Sequence, residues 1–375
     1  MNFHDLETPC ALVDPDVLEG NVRAMSERAG RLGVRLRPHT KTHKCVEVAR
    51  LQVRGSFGGI TVSTLAEAER FADAGFGDIT YAVPIAPGRV ERAARLEERI
   101  ERLALLVDHV DAAMAVERHG ARRGRALPVF LKVDCGYHRA GVLPDSDEAL
   151  GLARNLAHSQ WIEFRGILTH AGHAYHSRGR EEARAIAEQE RDVMVAFRDR
   201  LASAGVRVSE ISVGSTPTMC AAEDLGDVTE MRPGNYAFFD AFQTAIGSCR
   251  REEIAFGVLA TVIGSYPRRN ESVIDAGTLA LSRDPGPIHV DPDCGFGIPV
   301  VPGTREPLAG ARVAGLSQEH GVLRLEPGDG GTVPRVGERI VVLPNHSCLA
   351  AALFDRYHVV RGEEVVDVWR PVRGW

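Results

Sequence analysis

From about residue 10 to residue 245, short apolar runs alternate with charged, amphipathic stretches. This alternation predicts parallel strand–helix–strand units. The predicted strands cover 36–41, 59–63, 78–83, 103–108, 129–134, 165–170, 210–214 and 229–233. Between them, 65–72 and 180–201 each set an apolar stripe against a charged face, as helices packed on a sheet do. Eight such repeats are the number that closes a (β/α)8 TIM-type barrel. A leading strand at 11–14 and its helix precede the first repeat and are candidates for the second domain. Beyond about residue 246 the texture changes to strand-like runs at 254–265, 272–275, 311–316, 339–343 and 365–369, with no long helical pattern. Turns at Pro285-Gly286-Pro287 and Pro327-Gly328-Asp329-Gly330-Gly331 separate them. The expected division is a barrel over 11–245 and a C-terminal β domain over 246–375 with 1–10 added.

Composition narrows the class. The 375 residues are 44% hydrophobic and 26% charged, ordinary values for a soluble globular enzyme. A formal net charge of −6 argues against nucleic acid as a partner. No apolar run approaches the roughly 18 residues of a membrane span, and the acidic start Asn2-Phe3-His4-Asp5 is unlike a signal peptide. The 7 cysteines are scattered, odd in number and form no Cys-x-x-Cys, which suits a reducing compartment. The expectation is a cytoplasmic enzyme.

In a barrel, functional residues gather at the C-terminal ends of the strands. Lys41 ends the first predicted strand, within a run of Lys and His from Arg37 to Lys44. A lysine there is either a solvated basic strand end or, with its amine desolvated, a carbonyl-trapping nucleophile. Lys44 is the competing lysine, and its place past the strand end points it to solvent. Gly214-Ser215-Thr216 follows the seventh strand and Gly234-Asn235-Tyr236 the eighth, where barrels hold phosphates on free N–H groups and hydroxyls. Together these features point to a pyridoxal-phosphate site.

The motifs Arg37-Pro38-His39-Thr40-Lys41-Thr42, Gly214-Ser215-Thr216-Pro217-Thr218, Pro233-Gly234-Asn235-Tyr236 and Pro344-Asn345-His346-Ser347-Cys348 occur in this order. In this the chain resembles the fold-type III pyridoxal-phosphate enzymes. Within them it resembles the metal-dependent D-serine dehydratase-like branch, which includes D-threo-3-hydroxyaspartate dehydratases and, further off, D-threonine aldolases. The resemblance implies that Lys41 forms the Schiff base. It implies that His39, Gly214, Ser215, Thr216, Gly234, Asn235 and Tyr236 bind the cofactor, and that Tyr175 approaches cofactor or substrate. The run from Lys132 to Gly141 is similar to a Lys-x-Asp-x-Gly-x-x-Arg-x-Gly motif of alanine racemases, which places Arg139 near the cofactor phenolate; an ion pair with Asp134 is the alternative. Spacing alone makes His346 and Cys348 a weak metal pair. The resemblance implies that they bind a divalent ion, zinc by donor type, with Mn, Co or Ni possible in its place. His170, His173 and His176 form a rival triplet, which as loop residues would point three ways.

The implied reaction converts a β-hydroxy D-amino acid (D-serine, D-threonine or D-threo-3-hydroxyaspartate) to a 2-oxo acid and ammonia, in a homodimer. Retro-aldol cleavage to glycine and an aldehyde is the nearest alternative. The aldolase branch resembled here carries an acidic residue in place of Cys348 and a Gly-Gly-Gly-Thr-Gly loop in place of Gly-Ser-Thr-Pro-Thr. A racemase would need no metal pair, and a small non-catalytic pyridoxal-phosphate-binding protein would lack the β domain.

Overall fold

A computed structural model describes residues 2–326 and 332–375. Its strands are β1 (Cys10–Val13), β2 (Arg35–Leu36), β3 (Ile60–Val62), β4 (Asp78–Pro84), β5 (Arg102–Val107), β6 (Leu127–Lys132), β7 (Ile162–Leu168), β8 (Glu210–Val213) and β9 (Glu230–Met231), followed by β10 (Phe256–Tyr266), β11 (Glu271–Ile274), β12 (Ile298–Val300), β13 (Ala311–Leu316), β14 (Gly321–Leu325), β15 (Arg339–Leu343), β16 (Tyr357–Arg361) and β17 (Glu364–Trp369).

Residues 25–234, with 372–375, form one compact unit. Its eight strands run parallel in the order β2-β9-β8-β7-β6-β5-β4-β3. A parallel bridge between His39 and Thr61 and the bond from the Thr61 N–H to the Pro38 carbonyl (2.9 Å) join the two ends into a barrel. Because helices cover the outside and side chains fill the inside, every residue of β6 is buried, which is why it reads as a continuous apolar run. The helices start at identifiable caps: Thr64 accepts the Glu67 N–H (3.0 Å) and Ser146 accepts the Ala149 N–H (3.1 Å). The longest helix, Arg180–Ser203, turns Ala183, Ala187, Glu190, Met194, Phe197 and Leu201 inward.

The barrel is tied across its strands by buried ions. Arg37, 1% exposed, gives its Nε–H to Glu230 (2.7 Å) and both terminal nitrogens to Asp78 (2.8 and 3.1 Å). Arg102 also holds Asp78, and Arg35 and Arg165 hold Glu210.

Residues 1–24 and 235–371 form the second unit, a mostly antiparallel sheet. The long β10 pairs with β1, β11 and β15, and β1 pairs in parallel with β16. Phe238, Phe256 and Tyr357 make an aromatic core, with centroids 5.3 to 6.0 Å apart. By compactness the units divide at 24/25 and 234/235, and β1 joins the second because it takes its hydrogen bonds from β10 and β16. The strands β12, β14 and β16 escaped the sequence reading. The turn expected at 327–331 lies outside the described residues, whereas the one at Pro285-Gly286-Pro287 is present, with Gly286 at φ +72°. Among the described residues no helix is long and apolar enough to cross a membrane.

Candidate active site

Lys41 does not end a strand. The ladder of β2 stops at Leu36, and Lys41 stands in a 3-10 turn, Thr40–Thr42, whose first N–H groups need an acceptor. His39 Nδ1 caps the turn by accepting the Lys41 N–H (3.4 Å), and the Thr40 hydroxyl donates to the Thr61 carbonyl (3.1 Å). Burial, with Lys41, Arg232 and His170 as cationic or histidine neighbours, holds the His39 pKa well below the usual imidazole value, so the ring is neutral at pH 7. Lys44 does not face solvent as expected. It sits at φ +50°, with Nζ 2.9 Å from the buried Glu67 and 5.5 Å from the Trp375 ring centroid.

Gly214, Ser215 and Thr216, all buried, follow β8. Gly214 is at φ +118°, and a Cβ there would come within 3.0 Å of the Met219 side chain and 3.1 Å of the Arg232 nitrogen. Ser215 caps the helix Thr216–Ala221 in a reciprocal box: its oxygen accepts the Thr218 N–H (3.3 Å), and its own N–H goes to the Thr218 hydroxyl (3.0 Å). A Cβ on Gly234 would meet the His39 carbonyl at 2.6 Å, so only glycine fits there. Arg232, fully buried, donates to the Ser212 hydroxyl and the Thr169 carbonyl. Lys132 at the end of β6 is pushed down to about 8 by burial and by Arg232 and Arg139.

Arg139 is exposed, with its guanidinium over the Tyr137 ring (5.1 Å), and that ring packs against Gly172, where a Cβ would be 2.3 Å away. The alternative of an Asp134–Arg139 pair is disfavoured, because Asp134 accepts the Gly136 and His138 N–H groups (2.9 and 3.0 Å) and the His138 ring (3.0 Å). Tyr175 lies half-buried in the 3-10 turn Gly172–His176. Two of the three histidines are not in a loop: His173 and His176 stand one turn apart in the 3-10 turn Gly172–His176, while His170 Nδ1 meets the Gly214 carbonyl (3.0 Å) and His173 meets Gln189 (3.1 Å).

Asn235, Tyr236, His346 and Cys348 belong to the β unit. The Asn235 amide, expected at the phosphate, gives its N–H groups to Asp240 (2.7 Å) and the Ser347 hydroxyl (3.0 Å), and approaches the Cys348 sulfur at 3.6 Å. Tyr236 is fully buried. His346 and Cys348 are not on an extended segment: His346 precedes the helix Ser347–Ala352 and Cys348 lies in its first turn. The two side chains nevertheless interact electrostatically, Cys348 favouring the charged form of His346. His346 Nδ1 also meets Asp284 Oδ2 at 3.2 Å. Burial opposes charge on His346, but Cys348, Asp284 and Asp240 outweigh it and hold its pKa well above the usual value. Asp284 is held below the carboxylate range mainly by that His346 bond. Neither Asp284 nor Asp240 carried a signal in the sequence; the fold brings them in.

These residues fit the groups the resemblance implies. Gly214 and Gly234 leave no room for a Cβ, hydroxyls crowd the first of these loops, and an amine stands on the turn at Lys41. In the β unit, adjacent imidazole and sulfur donors suit a borderline-soft divalent ion. Among the described residues no third His, Cys, Asp or Glu completes a metal cluster with them, so the pair offers two donors and leaves further positions open.

Residues 13–241 match the alanine racemase N-terminal domain and 255–360 the serine dehydratase domain. The D-threo-3-hydroxyaspartate dehydratase of Delftia sp. (strain HT23) is 40% identical over 374 residues, 99% of this chain and 98% of its own. The D-serine dehydratase of Dictyostelium discoideum is 36% identical over 401 residues, 100% and 98% of the two chains. A solved cysteine-to-alanine variant of D-threo-3-hydroxyaspartate dehydratase, in the metal-free form, has a TM-score of 0.94 to this chain at 39% identity, covering 100% of both. The chain therefore belongs to the alanine racemase-like family of lyases that pairs this barrel with a serine dehydratase domain.

Proposed function

We propose that the protein is a pyridoxal-phosphate- and divalent-metal-dependent dehydratase, converting a β-hydroxy D-amino acid to a 2-oxo acid and ammonia. When bound, the cofactor supplies an electron sink and the ion a Lewis acid for a leaving hydroxyl. In this reading Lys41 Nζ holds the cofactor and moves the Cα proton. The loop 214–216, whose Gly214 and Ser215 N–H groups are already engaged, holds the phosphate with Gly234 and the Ser215 and Thr216 side chains. His39 fixes the turn that carries Lys41, and Arg139 and Tyr175 face the ring and substrate. Asn235 serves instead to fix the segment before Cys348, and Tyr236 packs the start of the β unit. His346 and Cys348 hold the ion, with zinc favoured by the donor pair.

The observation that carries this reading is the His346–Cys348 pair at the first turn of one helix, in a chain that matches a hydroxy-amino-acid dehydratase along its length. A cysteine-to-alanine variant of a relative has been solved in a metal-free form, which implies a metal-bound form of that relative and supports a metal here. Exposed Leu279, Leu349 and Leu353, on two short helices that lie side by side, support a homodimer; a monomer fully active on dilution would contradict it. The experiment is product analysis on D-serine, D-threonine and D-threo-3-hydroxyaspartate. Ammonia and a 2-oxo acid in equal amounts support dehydration, while glycine and an aldehyde would establish aldol cleavage instead.

A further inference from the structure

Glu190 stands on the apolar stripe of the helix Arg180–Ser203 and is 0% exposed. Its Oε1 accepts two backbone N–H groups, from Ala171 (3.0 Å) and from Gly214 (3.1 Å). Ala171 follows β7 and Gly214 follows β8, so one oxygen ties the C-terminal ends of neighbouring strands. The tie is doubled, because His170, next to Ala171, meets the Gly214 carbonyl through Nδ1 at 3.0 Å. Both backbone polar groups of Gly214 are thereby committed, the N–H to Glu190 and the carbonyl to His170, at a residue whose φ of +118° is otherwise free to vary. Glu190 Oε2 is buried with no hydrogen-bond partner. A leucine or methionine would fill the same core position without that desolvated oxygen, so packing alone does not account for a carboxylate here.

We propose that Glu190 is a positioning residue that fixes the phosphate loop at 214–216 and the loop at 170–175 as one unit. The inference rests on the reading of that loop as the cofactor-phosphate site. Glu190 touches no reacting atom; it acts by setting the peptide planes at Gly214 and the place of His170. What matters is an acceptor at the Oε1 position, which glutamine retains and alanine removes.

The test is titration of the apo full-length protein with pyridoxal 5'-phosphate and, separately, with pyridoxal, which lacks the phosphate. The pyridoxal dissociation constant divided by that of pyridoxal 5'-phosphate reports the phosphate loop alone. For Glu190→Gln the ratio should stay within about threefold of wild type, and for Glu190→Ala it should fall by about tenfold or more, since two buried N–H groups lose their acceptor. If Glu190→Ala does not fold, Glu190→Asp, which withdraws the oxygen by one methylene, is read on the same ratio. A wild-type ratio in the alanine or aspartate variant, or an equal fall in the glutamine variant, would overturn the proposal. A wild type that binds neither compound would refute the cofactor reading and the inference with it, a result distinct from either.

Discussion

Replacing Arg37 by methionine tests the ionic ties of the barrel. The substitution keeps side-chain length and apolar packing but removes a guanidinium that is 1% exposed and bonded to two carboxylates. Glu230, 0% exposed, keeps the Ser212 hydroxyl at 2.5 Å, and Asp78 keeps Arg102. Breaking a buried pair from one side costs about 3–5 kcal/mol, and these remaining partners place the expected loss near 3 kcal/mol. The assay is urea unfolding followed at Trp161, which reports the barrel unit and avoids treating both units as one transition. Burial raises the Glu230 and Asp78 pKa values, but Arg37, with Ser212 at Glu230 and Arg102 at Asp78, outweighs it, so both lie below the usual carboxylate range. Depressed folded values mean that this stability is fully present above the unfolded pKa of about 4 and is lost as pH falls through the folded ones. The gap between wild type and variant should therefore be full at pH 7 and close in acid. A loss below about 1 kcal/mol at pH 7, or a gap that widens in acid, would refute the argument.

Three further outcomes follow from the site. The holoprotein should be yellow, absorbing at about 410–430 nm, and borohydride followed by peptide mapping should mark Lys41; a mark on Lys44, already paired with Glu67, would refute the assignment. Gly234→Ala should cost about 1–3 kcal/mol and weaken cofactor binding, because a Cβ would lie 2.6 Å from the His39 carbonyl beside the Lys41 turn; unchanged affinity would show that the backbone yields. Asp284→Asn should weaken zinc binding about 10- to 100-fold in equilibrium dialysis, as loss of a partner that orients a ligand histidine does, and an unchanged constant would remove Asp284 from the site.

The barrel was legible in the sequence because parallel strands covered on both faces leave continuous apolar runs, as in β5 and β6. The first strand was read too long: the ladder ends at Leu36, although the Arg37 and His39 N–H groups still meet the Met231 and Pro233 carbonyls (2.9 and 3.0 Å) and His39 bridges Thr61 before the chain turns at Thr40. β12 is hidden by its central Pro299 and β14 by its leading Gly321, residues that argue against a strand. The leading strand was already a candidate for the second domain, and its pairing with β10 and β16 puts it there. Lys44 could not be placed because Glu67 meets it only in the fold. Glu190 did leave a trace, a carboxylate on an otherwise apolar stripe at 183, 187, 190, 194, 197 and 201, whereas attention fell on strand ends. Asp284 is 62 residues from His346 and left none.

The central claim is that the His346–Cys348 pair holds an ion needed to expel the β-hydroxyl but not to bind the cofactor. The most direct measurement records the cofactor band and ammonia release from a β-hydroxy D-amino acid before and after chelation, with Cys348→Ala alongside. The account predicts an intact band and loss of most ammonia release, by several kcal/mol of transition-state stabilisation, restored in the chelated wild type on adding zinc. Ammonia release at the native rate from the fully chelated enzyme would contradict it.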